Sequence, residues 1–120
     1  MTRLCFRLFS VAYIAGIFLF ADSSVISDLS AFNPYSLLHI PLYGILTLLL
    51  FFSFVPSRSH STRFLAVGLV ATMVGVADEI HQAYIPGRNA SVVDVLLDMV
   101  GIALCLFIIW RLQQLNYPIT

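Results

Sequence analysis

Four apolar runs, each of which reaches or can be extended to the length that crosses a lipid bilayer, leave this chain few structures to choose from. They occupy Leu8–Ala21, Tyr35–Val55, Phe64–Ala77 and a last stretch that ends at Trp110. A spanning helix needs about 20 consecutive apolar residues. Lipid supplies no partner for an open backbone group, so a segment of that length satisfies itself as a helix. Composition agrees, with 60% of the 120 residues hydrophobic and 10% charged, where a soluble domain carries about 25% charged residues. The expected fold is all-α, an integral membrane four-helix bundle formed by residues 1–120 as a single domain. A chain of this length has no room for a soluble catalytic domain beside it. Net charge is zero and lysine is absent, so nucleic acid binding has no electrostatic support. Cys5 and Cys105 lie in or beside apolar segments and read as buried, unpaired thiols.

The first helix is expected over residues 4–21. Arg3 and Arg7 before an apolar run also describe a secretory signal peptide, but Phe18-Leu19-Phe20-Ala21 puts a large residue where cleavage needs a small one. Asp22 to Asn33 is a polar connection. Asn33-Pro34 suits a helix start, and the second helix is expected over 35–55, with Pro41 inside its first two turns. Pro56 to Arg63 is a short basic turn. The third run is apolar only from Phe64 to Ala77, too short to span, so its helix must continue through Asp78 to residue 85. Pro86-Gly87-Arg88-Asn89 is turn chemistry. Ser91 and Asp94 have the spacing of a capping box, which predicts a fourth helix over 91–110 that stops at Arg111. Five arginines (Arg3, Arg7, Arg58, Arg63, Arg111) fall at one end of this arrangement and only Arg88 at the other. The positive-inside rule then places both termini in the cytoplasm.

Polar residues concentrate between Asp78 and Asp98. At 1.5 Å per residue, Asp78 lies about 21 Å into a core about 30 Å thick, counted from Phe64. Asp94 and Asp98 lie about 24 and 18 Å from the same boundary, and His39 about one turn inside the opposite one. Asp78 shares a helix face with His81 and Gln82, and His39–Tyr43 and Asp94–Asp98 are i, i+4 pairs. A carboxylate facing lipid near the bilayer centre costs on the order of 2.5–3.5 kcal/mol. These residues are therefore expected to face one another in a polar pocket between the second, third and fourth helices, opening at the outer face.

Each of them also has a plainer use. Asp94 serves as the capping-box acid. Glu79, about 100° round the helix from Asp78, meets the headgroup region. Tyr43 hydrogen-bonds His39 with no part in chemistry, and Arg88 pairs with Asp78 or Asp94 or binds a lipid phosphate. Metal ligation by His39, His81 and Asp78 or Asp94 uses suitable donors, but the spacing matches no established motif and no metal is assigned. Acid–base chemistry by Asp78 or Glu79 with His81 is open, as is a polar network that only joins helices.

At His39 and Tyr43, at Asp78-Glu79-x-His81-Gln82, at Pro86-Gly87-Arg88, and at Ser91, Asp94 and Gly101, the chain resembles the VanZ-like family of small bacterial membrane proteins. The resemblance runs over about residues 37–110 and departs at Asp98, where the family usually carries asparagine. The family takes its name from a member that confers resistance to teicoplanin, a lipoglycopeptide acting at the outer face of the membrane. The resemblance implies a multi-pass protein of the bacterial cytoplasmic membrane with its polar motif outward, and an expected link to glycopeptide resistance. It names no reaction and no cofactor.

Three readings of function follow. In the first, the pocket binds a lipid headgroup or a lipoglycopeptide-like amphipathic ligand through His39, Tyr43, Gln82, Arg88, Asp94 and Asp98. In the second, Asp78, Glu79 and His81 catalyse a reaction on a lipid-linked envelope substrate. In the third, the network only fixes helix packing. The expected partner is thus a membrane lipid or a lipid-linked envelope ligand, and the sequence specifies no oligomeric state.

Overall fold

The long apolar runs form the expected helices, and their ends show where local chemistry changed the boundaries. The structure is a computed structural model that describes residues 2–21, 37–54, 60–86 and 90–115. Among these residues there are four helices and no strand: α1 (Arg3–Ala21), α2 (His39–Ser53), α3 (His60–Ala83) and α4 (Val92–Gln114). Spans Arg3–Phe20, Ser61–Ala83 and Val92–Gln114 are long and apolar enough to cross a membrane, whereas His39–Ser53 is shorter. At 15 residues, α2 is about 22 Å long.

Three boundaries differ from the sequence reading. First, among the described residues α2 begins at His39, after 3₁₀ geometry at residues 37 and 38. Pro41 then falls in the first turn, where its missing N–H has no intrahelical partner to lose. The expected start at Asn33-Pro34 and Tyr35 lies outside the described residues, while the helix ends at Ser53, two residues short of Val55, with Phe54 as an extended C-cap. Second, α3 begins at His60, four residues early, and ends at Ala83. The last turn tightens there, as Tyr84 N–H bonds His81 C=O and Ile85 N–H bonds Gln82 C=O, both at 3.1 Å. Third, Arg111 does not stop α4. Its guanidinium lies over the Trp110 ring at 6.0 Å, and the helix runs on to Gln114, where Leu115 N–H caps Arg111 C=O. A long side chain that can lean along its own helix keeps its charge near the polar boundary without ending the backbone ladder.

Side-chain contacts fix an up-down-up-down order. Tyr13 of α1 donates to Leu42 C=O of α2 at 2.7 Å, while Arg7 donates to Ser53 C=O at 3.2 Å, so α1 and α2 are antiparallel. The Phe51–Phe64 ring contact and the Tyr43–Asp78 contact make α2 and α3 antiparallel. Gly75 beside Asp98 and Gly68 beside Leu106 do the same for α3 and α4. Both glycines therefore serve packing within the bundle. The middle helix is α2, which touches each of the other three, and its Tyr43, Leu46, Thr47 and Phe51 are fully buried.

Burial is inverted relative to a soluble protein. Leu65, Leu69, Met73, Val76 and Ile80 form an exposed apolar stripe on α3, while Asp78, Glu79 and Gln82 of the same helix are buried. Water would reject that stripe and lipid accepts it. Lipid also removes the hydrophobic drive between helices, leaving close packing and interhelical hydrogen bonds to hold them.

One such set of bonds closes the C-terminal end of α2. Its carbonyls have no intrahelical donors, and cations are favoured there. Arg7 takes Ser53 C=O, and buried Arg63 donates to Phe51 C=O with its guanidinium 3.8 Å from the Phe51 ring centroid. Ser10 and Ser53 share a hydrogen bond at 2.9 Å beside them. Two arginines that the sequence presents as topology signals are thus also helix caps. Arg63→Met is expected to lower stability by about 1–3 kcal/mol, read as thermal unfolding in detergent micelles. Arg63→Lys should recover only part of that loss, because an ammonium cannot stack on the ring while holding the carbonyl. Full recovery by lysine would show that charge alone matters there.

Candidate functional site

The end of the bundle opposite those arginines collects the N-terminal turn of α2, the last two turns of α3 and the first two turns of α4. Apolar helices bring carboxylates this close only if their backbones can approach, and two glycines permit it. A Cβ on Gly101 would meet Ile40 C=O of α2 at 2.1 Å, and one on Gly75 would meet Asp98 Oδ2 at 2.9 Å and Tyr43 Cε1 at 3.4 Å. Gly101 lies one turn from Asp98, and Gly75 one turn from Asp78 and Glu79. The crossings therefore set the spacing of the acids.

His39, the first residue of α2, presents both ring nitrogens to α4. Nδ1 shares a hydrogen bond with Asp98 Oδ1 at 2.7 Å, and Nε2 lies 3.9 Å from Asp94 Oδ2. The side chains of His39 and Asp94 are 15% and 16% exposed, and that of Asp98 is 1% exposed. An oxygen of Glu79 joins His39 and Asp94, the three ligand atoms lying within 4.8 Å of one another. Behind them, Gln82 Nε2 donates to Asp78 Oδ2 at 2.9 Å, and the Tyr43 hydroxyl approaches the same oxygen at 3.5 Å. The His39 and Tyr43 rings are parallel, 6.3 Å apart.

Four expectations about single residues change. Glu79 is not at the headgroup boundary. It is 5% exposed, and its Oε2 accepts the Ser91 backbone N–H at 2.9 Å. Ser91 is the N-cap of α4, yet its side chain makes no capping bond. The acid that receives the N-cap amide thus comes from α3 rather than from Asp94, which is left free to face His39. His81 points to the other side of α3, where its ring meets Phe18 of α1 edge-on at 5.4 Å. The 200° between positions 79 and 81 on a helix explains the separation. The metal-ligand set weighed from sequence accordingly changes, with Glu79 in place of His81. Finally, Tyr43 hydrogen-bonds Asp78 and not His39. Arg88 lies outside the described residues.

Sequence reasoning undervalued Glu79 and did not use Gly75 as part of the site. Their signal was present: Gly75, Glu79 and Gln82 are spaced i, i+4 and i+7, one helix face. What hid it was that the pairing face of α3 is wide, because α2 and α4 flank it on two sides. Asp78 turns to one and Glu79 to the other.

The cluster sets four carboxylates against one imidazole in an apolar surrounding. Asp98 Oδ2 and Glu79 Oε1 are buried and have no hydrogen-bond partner among the described residues. Buried polar groups normally find partners, and a buried charge without one is costly. Such an arrangement can hold a cation, bind a ligand rich in donors, or exchange protons.

A sequence-family model described as VanZ/LLP1 matches residues 6–113 of the chain. No curated protein and no solved structure matches it.

Proposed function

The chain belongs to the VanZ/LLP1 family, and from that premise we propose that it is a multi-pass protein of the bacterial cytoplasmic membrane that binds an amphipathic envelope ligand. The ligand is a lipid headgroup or a lipoglycopeptide-like molecule, met by the cluster at the end of the bundle where α2 begins. The orientation proposed has both termini cytoplasmic, because Arg7, Arg63 and Arg111 stand at the opposite end. His39, Tyr43, Gln82, Asp94 and Asp98 supply hydrogen-bonding groups to the ligand, with Asp78 behind Tyr43 and Gln82. Arg88, in the connection between α3 and α4, meets an anionic group. Altered sensitivity to teicoplanin is the physiological consequence proposed for this member.

The observation that carries this reading is the pair of buried, unpartnered oxygens, Glu79 Oε1 and Asp98 Oδ2. A network kept only to join helices gains nothing from orphaned acceptors, since half-satisfied buried networks destabilise the fold that holds them. Native mass spectrometry of gently solubilised protein, comparing wild type with Asp78→Asn, tests the proposal. A lipid retained by wild type and lost by a variant that still folds is the expected result. If both forms are empty and the variant only melts earlier, the cluster is helix glue and the ligand reading is lost.

A second reading rests on proximity. A Glu79 oxygen and a His39 ring nitrogen lie within 4.8 Å of each other, near enough for one substrate group to meet both, in place of the pairing of Asp78 or Glu79 with His81 weighed from the sequence. As an enzyme on a lipid-linked substrate, the protein would convert a component of an added envelope lipid extract. That mass change should vanish in Glu79→Gln and persist in His81→Ala.

A further inference from the structure

Among the described residues, the groups able to act as metal ligands come together at one place, His39, Glu79 and Asp94. Three helices supply one donor each, so the set is assembled by the tertiary fold and has no signature in local spacing. The donors are an imidazole nitrogen and two carboxylate oxygens, a combination that zinc and similar divalent transition ions accept. Protein ligands at about 2.1 Å from one ion are about 3.4 Å apart in tetrahedral directions and at most about 4.2 Å apart. The 3.9 Å between His39 Nε2 and Asp94 Oδ2 is beyond a hydrogen bond and inside that range. The third donor lies within 4.8 Å, a shift of well under an ångström from closure.

Two further observations point to an ion rather than to a simple ion pair. The first is the partner of the other ring nitrogen. His39 Nδ1 lies 2.7 Å from Asp98 Oδ1, and a proton held on that nitrogen by the carboxylate leaves the Nε2 lone pair directed toward Asp94. A carboxylate on the far nitrogen is how metal-binding histidines are commonly held, fixing both tautomer and ring orientation. The second is Glu79. It is 5% exposed and Oε2 is occupied by the Ser91 amide, while Oε1 is buried with no partner. A divalent cation satisfies that oxygen and offsets two of the negative charges crowded into the cluster.

We propose that His39, Glu79 and Asp94 form a divalent transition-metal site of the zinc class, with Asp98 as the positioning residue for His39. Three protein donors leave a coordination position open, as in zinc sites that act on or bind other molecules. Water or an anionic oxygen of an envelope ligand fits there. The ion site does not depend on the ligand reading, since its test uses the metal alone.

The full-length protein, free of any affinity tag, is purified in detergent, stripped with a chelator and titrated with Zn²⁺ by calorimetry, with bound metal counted after gel filtration. Wild type should bind one equivalent. Glu79→Gln and Asp94→Asn, each checked for native helicity and melting, should weaken binding at least tenfold. Asp98→Asn should retain one equivalent at lower affinity, because it touches the ligand and not the ion. His81→Ala, on the far side of α3, should bind as wild type does. Absence of binding by wild type overturns the proposal. So does one equivalent bound at unchanged affinity by Glu79→Gln and Asp94→Asn, or lost in His81→Ala alone. Wild type that retains a lipid but binds no Zn²⁺ would sink the ion site and leave the ligand reading standing.

Discussion

Gly101→Ala is expected to cost about 3 kcal/mol or more in the stability of the bundle, at or beyond the upper end for overpacking a core. The added methyl would sit 2.1 Å from Ile40 C=O. That neighbour is backbone, so no rotamer change relieves the clash and α2 must move away from α4. The movement would also separate His39 from Asp98, because both lie within one turn of the crossing. The prediction therefore has two readouts, a lower melting temperature in detergent and a loss of whatever the cluster binds. Gly16→Ala supplies the control. Nothing lies within 4 Å of a Cβ at that position, so the change should be neutral or stabilising by about 0.5–1 kcal/mol through helix propensity. If Gly101→Ala melts with wild type, the close contact between α2 and α4 is not what holds the bundle at that end.

The second large effect concerns the bond between His39 and Asp98. In metal-free protein, His39→Ala should lower stability by about 3–5 kcal/mol, the usual result of removing one partner from a buried pair. The loss does not measure the worth of the pair, only the cost of leaving Asp98 at 1% exposure without its donor. Replacing both residues by leucine removes the charge along with its partner, and such swaps are often neutral or stabilising. The double variant should therefore regain most of what the single one loses, while binding neither metal nor ligand. That pattern, a stable bundle with an inactive site, would show that the pair is kept for function. A double variant as unstable as the single one would mean instead that the pair itself holds α2 to α4.

How much of this was legible beforehand varies by residue. The four helices follow from the length of the apolar runs, and Asp78, Asp94, Asp98 and His39 came to the same end by counting rises along three helices. Counting works because a helix converts sequence number into depth, and its 3.6-residue period converts number into face. It does not say how wide the partnered face is. Glu79, an acid–base candidate whose plainer use was the headgroup boundary, is buried, because α2 and α4 together flank a wide face of α3. His81 shares a face with Asp78 by helical period alone, and its contact is Phe18 of α1. The capping box was read within α4 alone, since a local motif contains no information about an acid arriving from another helix.

The amino-acid order by itself determined the membrane class, the four helices, the end of the bundle that is basic and the end that is acidic. These depend on composition, run length and the regular rise of the helix, all of which act within one segment. Only the tertiary structure decided which acids meet which partners: Asp98 with His39, Glu79 with the Ser91 amide, Arg63 with the end of α2. Those contacts depend on crossing positions fixed by backbone approach at Gly75 and Gly101, and a crossing is a property of two helices that neither segment encodes alone.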